Sequence, residues 1–345
     1  MKNSKTIFYL LFVFLAITSC GTIFDYEGDC SVNHNIKFKY DMNMLFADAF
    51  ANTVTFVNLY AFDANTGKLV ASFSEEGDVL ADPNYLMPIN LAPGEYDLVA
   101  WAGNALSDSD FVLTPTVVDQ SLRQHLMCKI NCGDFFNDSV FVRNKIGNLW
   151  HGAIRVNLID KPGTYTNILS LTKNTNNVRI LLQNLSGKSL DPDIFEFKIL
   201  DNNALFDADN AVIRDNNIIY YPWALTLGKT SIDSVNLQNI APLTRNSSIS
   251  AVLAEFTVSR LVVENSPILA VYNKEDNRKI LSIPLKDYIL MVKGKVNENM
   301  TNQEYLDRED EFVMTFFLDE KGNWVSSHVI INSWHLVLQN EDDLN

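Results

Sequence analysis

Five histidines are the residues most able to support acid–base chemistry or bind a metal: His34, His125, His151, His328 and His335. None belongs to a His-Glu-x-x-His motif or lies at a ligand spacing from a cysteine, the patterns that indicate zinc. The chain also has no Gly-x-Ser-x-Gly elbow, Walker loop or Gly-x-Gly-x-x-Gly loop, so acyl transfer, nucleotide hydrolysis and dinucleotide binding lack their usual motifs. His151, beside Trp150, is interpreted as structural. The sequence predicts no catalytic residue, no metal site and no cofactor.

Two further groups of side chains could bind a ligand. Oxygen-bearing residues are dense from Asp201 to Asn210, but the glycine and final glutamate of a Ca²⁺-binding EF-hand loop are missing. Asx turns, in which the side chain accepts backbone hydrogen bonds, explain the cluster better. Tryptophans at 101, 150, 223, 324 and 334 could stack on sugars, but each lies within or beside an apolar strand, which favours burial in a core.

Length and charge limit the class of protein. The chain has 345 residues, 47% of them hydrophobic, which is enough for two domains. Its net charge of −15 repels phosphate backbones, so nucleic acid is not an expected partner.

The first twenty residues have the pattern of an export signal. Lys2 and Lys5 precede an apolar run from Ile7 to Ile17 that is too short to span a bilayer, and Thr18-Ser19-Cys20 follows. Small residues before a cysteine resemble a lipobox, so we predict a signal peptide over 1–19, acylation of Cys20 and a lipidated tether over 20–33. Ordinary secretory cleavage is the alternative. Residue 21 is Gly rather than Asp, which favours the outer membrane.

The remaining cysteines do not form a recognisable site. Cys30, Cys128 and Cys132 are odd in number, so at least one thiol stays unpaired in an exported protein. Cys128 and Cys132 are four residues apart, which is not the spacing of a Cys-x-x-Cys redox motif, and the pair does not make half of a convincing zinc site. We expect buried thiols or one incidental disulfide.

Short runs with period-two alternation dominate the rest of the chain and predict an all-β fold. Asn65-Thr66-Gly67 has a hairpin-turn composition, and Pro93-Gly94 begins a strand that buries either Leu98 or Trp101 on its inner face. Asp160-Lys161-Pro162-Gly163 is the predicted domain boundary, which gives sandwiches over 34–161 and 162–345. Three segments are predicted as helices: Asn43 to Ala51, Asp119 to Met127 and Asn302 to Glu309.

Several segments, in this order, resemble one family. They are Phe38 to Phe50, Leu91 to Tyr96 with Trp101, Lys173 to Val178, Gln303 to Glu309 and Ile331 to Trp334. The chain is thus similar to the FimB-type anchor and accessory fimbrillin lipoproteins of Bacteroidales. The resemblance implies two tandem transthyretin-like Greek-key β-sandwiches with short helices, lipid attachment at Cys20 and no enzymatic activity. It also implies a stem fimbrillin as partner and a place in the fimbrium at the outer membrane.

The resemblance also implies a mechanism that the sequence can test. In stem subunits of the family an Arg-specific protease removes the first strand, and a strand of the next subunit fills the groove. This chain has no arginine from Met1 to Leu122, and Arg123 is the first. We therefore predict that the first strand is retained and that growth of the fimbria ends at this subunit.

The last apolar segment leaves two possibilities open. From His328 to Leu338 both faces of a predicted strand are apolar, except at Asn332, which suits the middle of its own sheet or insertion into a neighbour. We favour its own sheet.

Three hypotheses about function follow from the sequence. The leading one is a structural anchor of a fimbria. The second is a glycan-binding surface lipoprotein, which requires tryptophans clustered on one exposed face. The third is a hydrolase, which requires a polar cleft that joins a histidine to a nucleophile.

Overall fold

The computed structural model describes residues 31–104, 110–131, 134–136, 139–214, 217–231 and 248–337. The strands of the first half, in chain order, are β1 (Val32–Met42), β2 (Phe56–Asp63), β3 (Leu69–Glu76), β4 (Met87–Ile89), β5 (Gly94–Asn104), β6 (Phe111–Leu113), β7 (Cys128–Ile130), β8 (Asp134–Phe136), β9 (Ser139–Val142), β10 (Asn148–Leu158) and β11 (Gly163–Lys173). Those of the second half are β12 (Thr175–Asn184), β13 (Phe195–Asp201), β14 (Leu205–Phe206), β15 (Val212–Ile213), β16 (Asn217–Tyr220), β17 (Ala224–Ser231), β18 (Ser248–Ser259), β19 (Ile268–Asn273), β20 (Arg278–Pro284), β21 (Glu311–Leu318), β22 (Trp324–Ile331) and β23 (Trp334–Val337). The predicted all-β class is confirmed.

The N-terminal sandwich is one sheet that folds over on itself. Its strand order is β3-β2-β5-β10-β11-β1-β4. β10 pairs with β5 along its whole length but with β11 only at Trp150 and His151, so the sheet divides there into two layers. Ile36 from one layer and Leu59 from the other lie in the shared core. Gly152 lies where the layers meet, and a Cβ there would come within 2.6 Å of the Ser170 carbonyl oxygen, so only glycine fits.

A small four-stranded sheet, in the order β15-β14-β7-β6, covers the other side of β5. Val99 and Trp101 pack there with Phe206 in a second core, while Leu98 faces the first. The sequence offered two alternative buried faces for β5, and the structure buries both.

The C-terminal sandwich consists of two six-stranded sheets. One has the order β17-β18-β12-β21-β22-β23 and the other the order β20-β19-β13-β16-β9-β8. Alternate apolar residues of both sheets, such as Ile180 and Phe316 from the first and Phe197 and Val271 from the second, are fully or almost fully buried between them.

The predicted boundary at 160–163 lies between β10 and β11, which are strands of the same sheet. β11 pairs with β1 from Gly163 onward, whereas β9 pairs with β16 in the C-terminal sandwich. Pro-Gly signals a reversal of the chain but does not tell a turn within a domain from a linker. We propose Asn174, between β11 and β12, as the boundary, with the strands β8 and β9 added to the C-terminal sandwich.

The helix predictions are confirmed in one case of three. The α-helices are α1 (Phe50–Thr53), α2 (Leu285–Met291) and α3 (Asn302–Arg308). α3 begins as predicted, because the Thr301 hydroxyl accepts a hydrogen bond from the Glu304 amide. The predicted helix over 43–51 is wrong except for α1, and that over 119–127 is a single 3₁₀ turn, Arg123–His125.

The last predicted strand, 328–338, is two strands. Asn332 and Ser333 have positive φ angles of 44° and 70° and form a tight turn that folds β23 back against β22. The prediction that this segment stays in its own sheet is confirmed as far as Val337, the last described residue.

Candidate functional site

β1 is the element on which the predicted anchoring mechanism depends. It lies inside its sheet, parallel to β11 on one side and antiparallel to β4 on the other. Ile36, Phe38 and Tyr40 point into the core and are 0%, 2% and 5% exposed. A large apolar side chain contributes about 1.5–3 kcal/mol when it is fully buried. Several such side chains therefore oppose the removal of β1.

Aromatic contacts fix β1 in the core. The Phe38 ring stacks on Phe50 with a centroid distance of 5.6 Å, and Tyr40 meets the edge of Trp150 at 5.5 Å. Burial, with a smaller contribution from the negative charge of Asp310, raises the pKa of the Tyr40 phenol well above its ordinary value. The phenol is therefore neutral at physiological pH.

A compact loop after β1 reverses the chain. The Asp48 carboxylate accepts hydrogen bonds of 3.0 Å from the Tyr40 and Phe50 amides, and the Asn43 amide group donates to the Tyr40 and Ala47 carbonyl oxygens. These side chains satisfy the backbone at the point where we predicted a helix, which explains why the helix is confined to α1.

The C-terminal half clamps the end of β1. Arg308, the last residue of α3, donates to the Asp41 carbonyl oxygen at 3.1 Å and to the Asn43 carbonyl oxygen at 3.3 Å. Its guanidinium lies over the Phe46 ring, 4.3 Å from the centroid, and it is oriented by Glu304 at 2.9 Å. We call these contacts the Arg308 clamp.

A second ion pair lies close to the clamp. The Lys173 ammonium, at the end of β11, contacts the Asp310 carboxylate, and the Lys173 side chain is 7% exposed. The residues of these two contacts are far apart in sequence, so local patterns could not have revealed them. The sequence predicted the helix that contains Arg308, but not its contact with the end of β1.

Arg123, the first arginine, lies beyond the first five strands. Its guanidinium pairs with Asp209 at 2.9 Å, and its side chain is 24% exposed. Cleavage at Arg123 could not release β1 alone, because β1 through β5 all precede it in the sequence.

His151 is a packing residue, as we interpreted it. The ring is 5% exposed and meets Trp101 edge-on at 4.6 Å. Its Nε2 lies 3.2 Å from the Ala208 carbonyl oxygen, which can only accept a hydrogen bond. Burial lowers the pKa of His151 to about 4, so the ring is neutral at pH 7.

The other predicted candidates have structural roles. The Asp207 carboxylate accepts from the Asp209 and Ala211 amides in the expected Asx turn. Burial raises the pKa of Asp201 to about 6. In the part of the chain that the structure describes, no cluster of three potential metal-binding side chains occurs.

The tryptophans do not form one exposed platform. Trp101 and Trp150 are buried, as predicted, and Trp223 and Trp324 are partly buried. Trp334 is 56% exposed, which contradicts the prediction for it, because the turn at Asn332 moves it to an edge strand.

The predicted lipidation site, Cys20, lies outside the described residues, as do Cys30 and Cys132. Cys128 is a free, fully buried thiol whose pKa burial raises well above its ordinary value. Within the described ranges, none of the helices has the length and apolar character needed to cross a bilayer.

Comparison with known proteins connects this geometry to a family. The profile of the fimbrillin-A associated anchor proteins Mfa1 and Mfa2 matches residues 26–340. No protein of curated function matches the chain. The resemblance inferred from the sequence is therefore confirmed at the level of the family.

Solved structures agree with this assignment. A candidate adhesin from Bacteroides thetaiotaomicron is 31% identical and has a TM-score of 0.79, over 91% of this chain and all of that one. A candidate polysaccharide-binding protein from the same species is 29% identical with a TM-score of 0.75, over 90% and 99% of the two chains. The fimbrial anchor protein Mfa2 from Porphyromonas gingivalis, 18% identical with a TM-score of 0.64 over 89% and 99%, shares the fold. The chain belongs to the family of fimbrillin-A associated anchor proteins Mfa1 and Mfa2.

Proposed function

We propose that this protein is held in the outer membrane by a lipid on Cys20 and anchors a fimbria, whose growth it ends by keeping its own first strand. Family membership makes it a fimbrial accessory subunit; the lipid, the membrane and the stem fimbrillin partner are parts of the proposal. The observation that carries it is the position of β1 between β11 and β4 in a chain with no arginine before Arg123.

Strand-pairing chemistry supports this role. A subunit can accept a donor strand only if a groove with unpaired main-chain groups is open. Here β1 occupies that groove, and the Arg308 clamp holds its end. The contact with a stem fimbrillin must then use another part of the surface, such as the edge strand β23.

Protease treatment of intact cells tests strand retention. The wild-type chain should keep β1 under conditions in which an Arg-specific protease removes the first strand of stem fimbrillins. The matched variant Leu45→Arg places an arginine at a side chain that is 85% exposed, just after β1, and should be cut there. Loss of β1 from the wild type would contradict the proposal, as would equal cleavage of both chains before Arg123.

Labelling with palmitate tests the anchor separately. Wild type should incorporate the label and sediment with outer membranes, and Cys20→Ala should do neither. Unchanged labelling in Cys20→Ala would place the lipid elsewhere.

The two rival functions are less well supported. One relative is described as a polysaccharide-binding protein, but the tryptophans do not share an exposed face. Among the described residues, none of the three main cavities is lined by a histidine. Ser327 and His328, whose side chains are joined by a hydrogen bond of 2.9 Å, do not line any of these three cavities. Because the chain belongs to a family of fimbrial anchor proteins, we infer a non-catalytic role.

A further inference from the structure

Aromatic and basic side chains alternate across the outer face of the C-terminal sandwich. The aromatic–basic row consists of Phe141, Arg143, Lys198, Tyr221 and Tyr272. The Arg143 guanidinium lies 4.0 Å from the Tyr221 ring centroid and 6.0 Å from that of Phe141. The Lys198 ammonium lies 5.9 Å from the Tyr221 centroid and 5.4 Å from the Tyr272 centroid. Each cation thus lies near two rings.

The row faces away from the core. Val142, Ile199, Tyr220 and Val271, which neighbour the row residues in sequence, are buried between the two sheets. Since side chains alternate along a strand, the row residues point outward; Arg143 is exposed and the others are partly exposed. The row crosses β9, β16, β13 and β19, which are adjacent in the sheet, so it extends about 14 Å at the usual strand spacing.

Arg143 differs from most of the described arginines in the group that its guanidinium contacts. Six of the eight arginines in the described ranges contact a carboxylate: Arg123, Arg155, Arg179, Arg260, Arg278 and Arg308. The Arg143 guanidinium instead lies over the Tyr221 ring, and it contacts no carboxylate among the residues whose side chains the structure describes. Next to it, the Lys145 ammonium lies 4.9 Å from the Trp223 centroid. Lys198 is the exception in the row, because it pairs with Glu196 at 2.8 Å.

We propose that the aromatic–basic row is a binding surface for a linear acidic polysaccharide. A guanidinium that lies over an aromatic ring can still donate its outer N–H groups to a carboxylate or sulfate, and the ring contact helps to position it before the ligand arrives. The partly exposed rings of Phe141, Tyr221 and Tyr272 beside these cations offer apolar faces to the C–H groups of sugar rings. This inference does not depend on the anchoring function.

The position of the row excludes a peptide bound as an added strand. β9, β16, β13 and β19 are all interior strands, so their main-chain groups are already paired and recognition must come from side chains. A planar anionic membrane fits poorly as well, because a chain with a net charge of −15 would bring its other acidic surfaces toward it. A single glycan chain, unlike a membrane, is narrow enough to contact the row without approaching the other acidic surfaces of the protein.

The proposal can be tested by measuring how the full-length protein, purified from membranes or medium as it occurs, binds labelled polygalacturonate and labelled heparin. At least one of these probes, the first carrying carboxylates and the second mainly sulfates, should bind, and added salt should weaken binding. Arg143→Gln should lower the affinity about tenfold, as expected for the loss of a charge-assisted hydrogen bond. The matched variant Arg155→Gln, exposed but on the N-terminal sandwich, should bind like wild type, and neutral dextran should not bind.

Three results would overturn the proposal. The first is equal affinity of Arg143→Gln and Arg155→Gln for both acidic glycans, or no binding of either glycan to wild type. The second is binding of dextran as tight as that of the acidic glycans. The third is Arg143-dependent binding of anionic vesicles or of poly-glutamate in place of the glycans, which would assign the row to a membrane or to an acidic peptide. Circular dichroism of each variant checks that the fold is intact.

Discussion

The first and last strands of the described chain differ in how they are held. β1 has a partner on both sides, buries alternate side chains and is clamped by Arg308 from the other half of the molecule. β23 has one partner, β22, and lies at the end of its sheet, with Trp334 56% exposed. β1 is paired on both sides within its own subunit, whereas β23 has a strand partner on one side only among the residues that the structure describes.

Under the proposed function, that difference gives the two ends opposite roles. A strand inside a sheet can be exchanged only after its pairing and its core contacts are lost. An edge strand can pair with a neighbour at no such cost. We call the β1 end closed, because β1 is paired on both sides, and the β23 end open, because β23 is an edge strand. Such a subunit could pair with another through β23 without offering a groove for a donor strand, which the proposed role as a terminal subunit requires.

The largest expected effect is on the closed end. Phe38→Ala removes a fully buried ring that packs on Phe50, and such a truncation costs about 3–5 kcal/mol. Urea denaturation of the full chain should show this loss. A change below about 1 kcal/mol would mean that β1 contributes little to the stability of its own sandwich, and the comparison would fail.

Acid should also lower the free energy of unfolding, through His151 in the N-terminal sandwich. His151 has a pKa of about 4 in the folded chain against an ordinary value of 6.5, because burial disfavours the charged ring. The unfolded chain therefore binds the proton first as pH falls, so the contribution of this group is complete above pH 6.5 and is lost as pH falls toward 4. The loss reaches about 3 kcal/mol.

A variant isolates this contribution from that of the carboxylates. The difference in free energy of unfolding between wild type and His151→Gln should shrink as pH is lowered from 7 to 4. A difference that stays constant over this range would show that His151 does not titrate as described.

The Arg308 clamp should have a smaller effect, confined to the end of β1. Arg308→Gln removes hydrogen bonds to the Asp41 and Asn43 carbonyl oxygens and the contact with Phe46. Hydrogen bonds from charged donors contribute about 1.5–3 kcal/mol. Hydrogen exchange at residues 40–46 should accelerate, while exchange in β23 should not change.

Arg155→Gln is the control for the clamp. Arg155 pairs with Asp97 at 2.7 Å, but its side chain is 62% exposed, and exposed pairs contribute about 0–1 kcal/mol. If both arginine variants lose the same stability, the clamp is an ordinary surface contact.

The same contrast shows what the sequence could reveal. Alternation placed β1, β2 and β5 correctly, because Ile36, Leu59 and Leu98 repeat with the period of a half-buried strand. Alternation alone offered one buried face of β5 or the other and could not show that both are buried, because the strand β14, which covers the face of Trp101, lies about a hundred residues later.

The errors also have physical causes. Asn332 and Ser333 interrupt an apolar run, and only the positive φ angles reveal that they form a turn rather than part of a strand. Pro162-Gly163 resembles a linker but joins two strands of one sheet. The contact between Arg308 and β1 arises from tertiary packing, so it has no local signature.

The smallest stability effect is expected at the open end. Removal of residues 334–345 takes away β23, whose only described strand partner is β22. β22 keeps its pairing with β21, and Val329 and Ile331 stay in the core. We therefore expect the truncated chain to fold, with a loss well below that of Phe38→Ala.

Attachment of the fimbria then separates the two possible roles of β23. If the strand pairs with a neighbouring subunit, cells that express the truncated chain should display it at normal levels but release fimbriae into the medium. Trp334→Ala, which keeps the main chain of β23, should retain attachment if main-chain pairing dominates. A truncated chain that is unfolded would show that β23 belongs to the core after all, and one that still holds fimbriae would place the contact elsewhere. In either case the contrast between a closed first strand and an open last strand would lose its functional meaning.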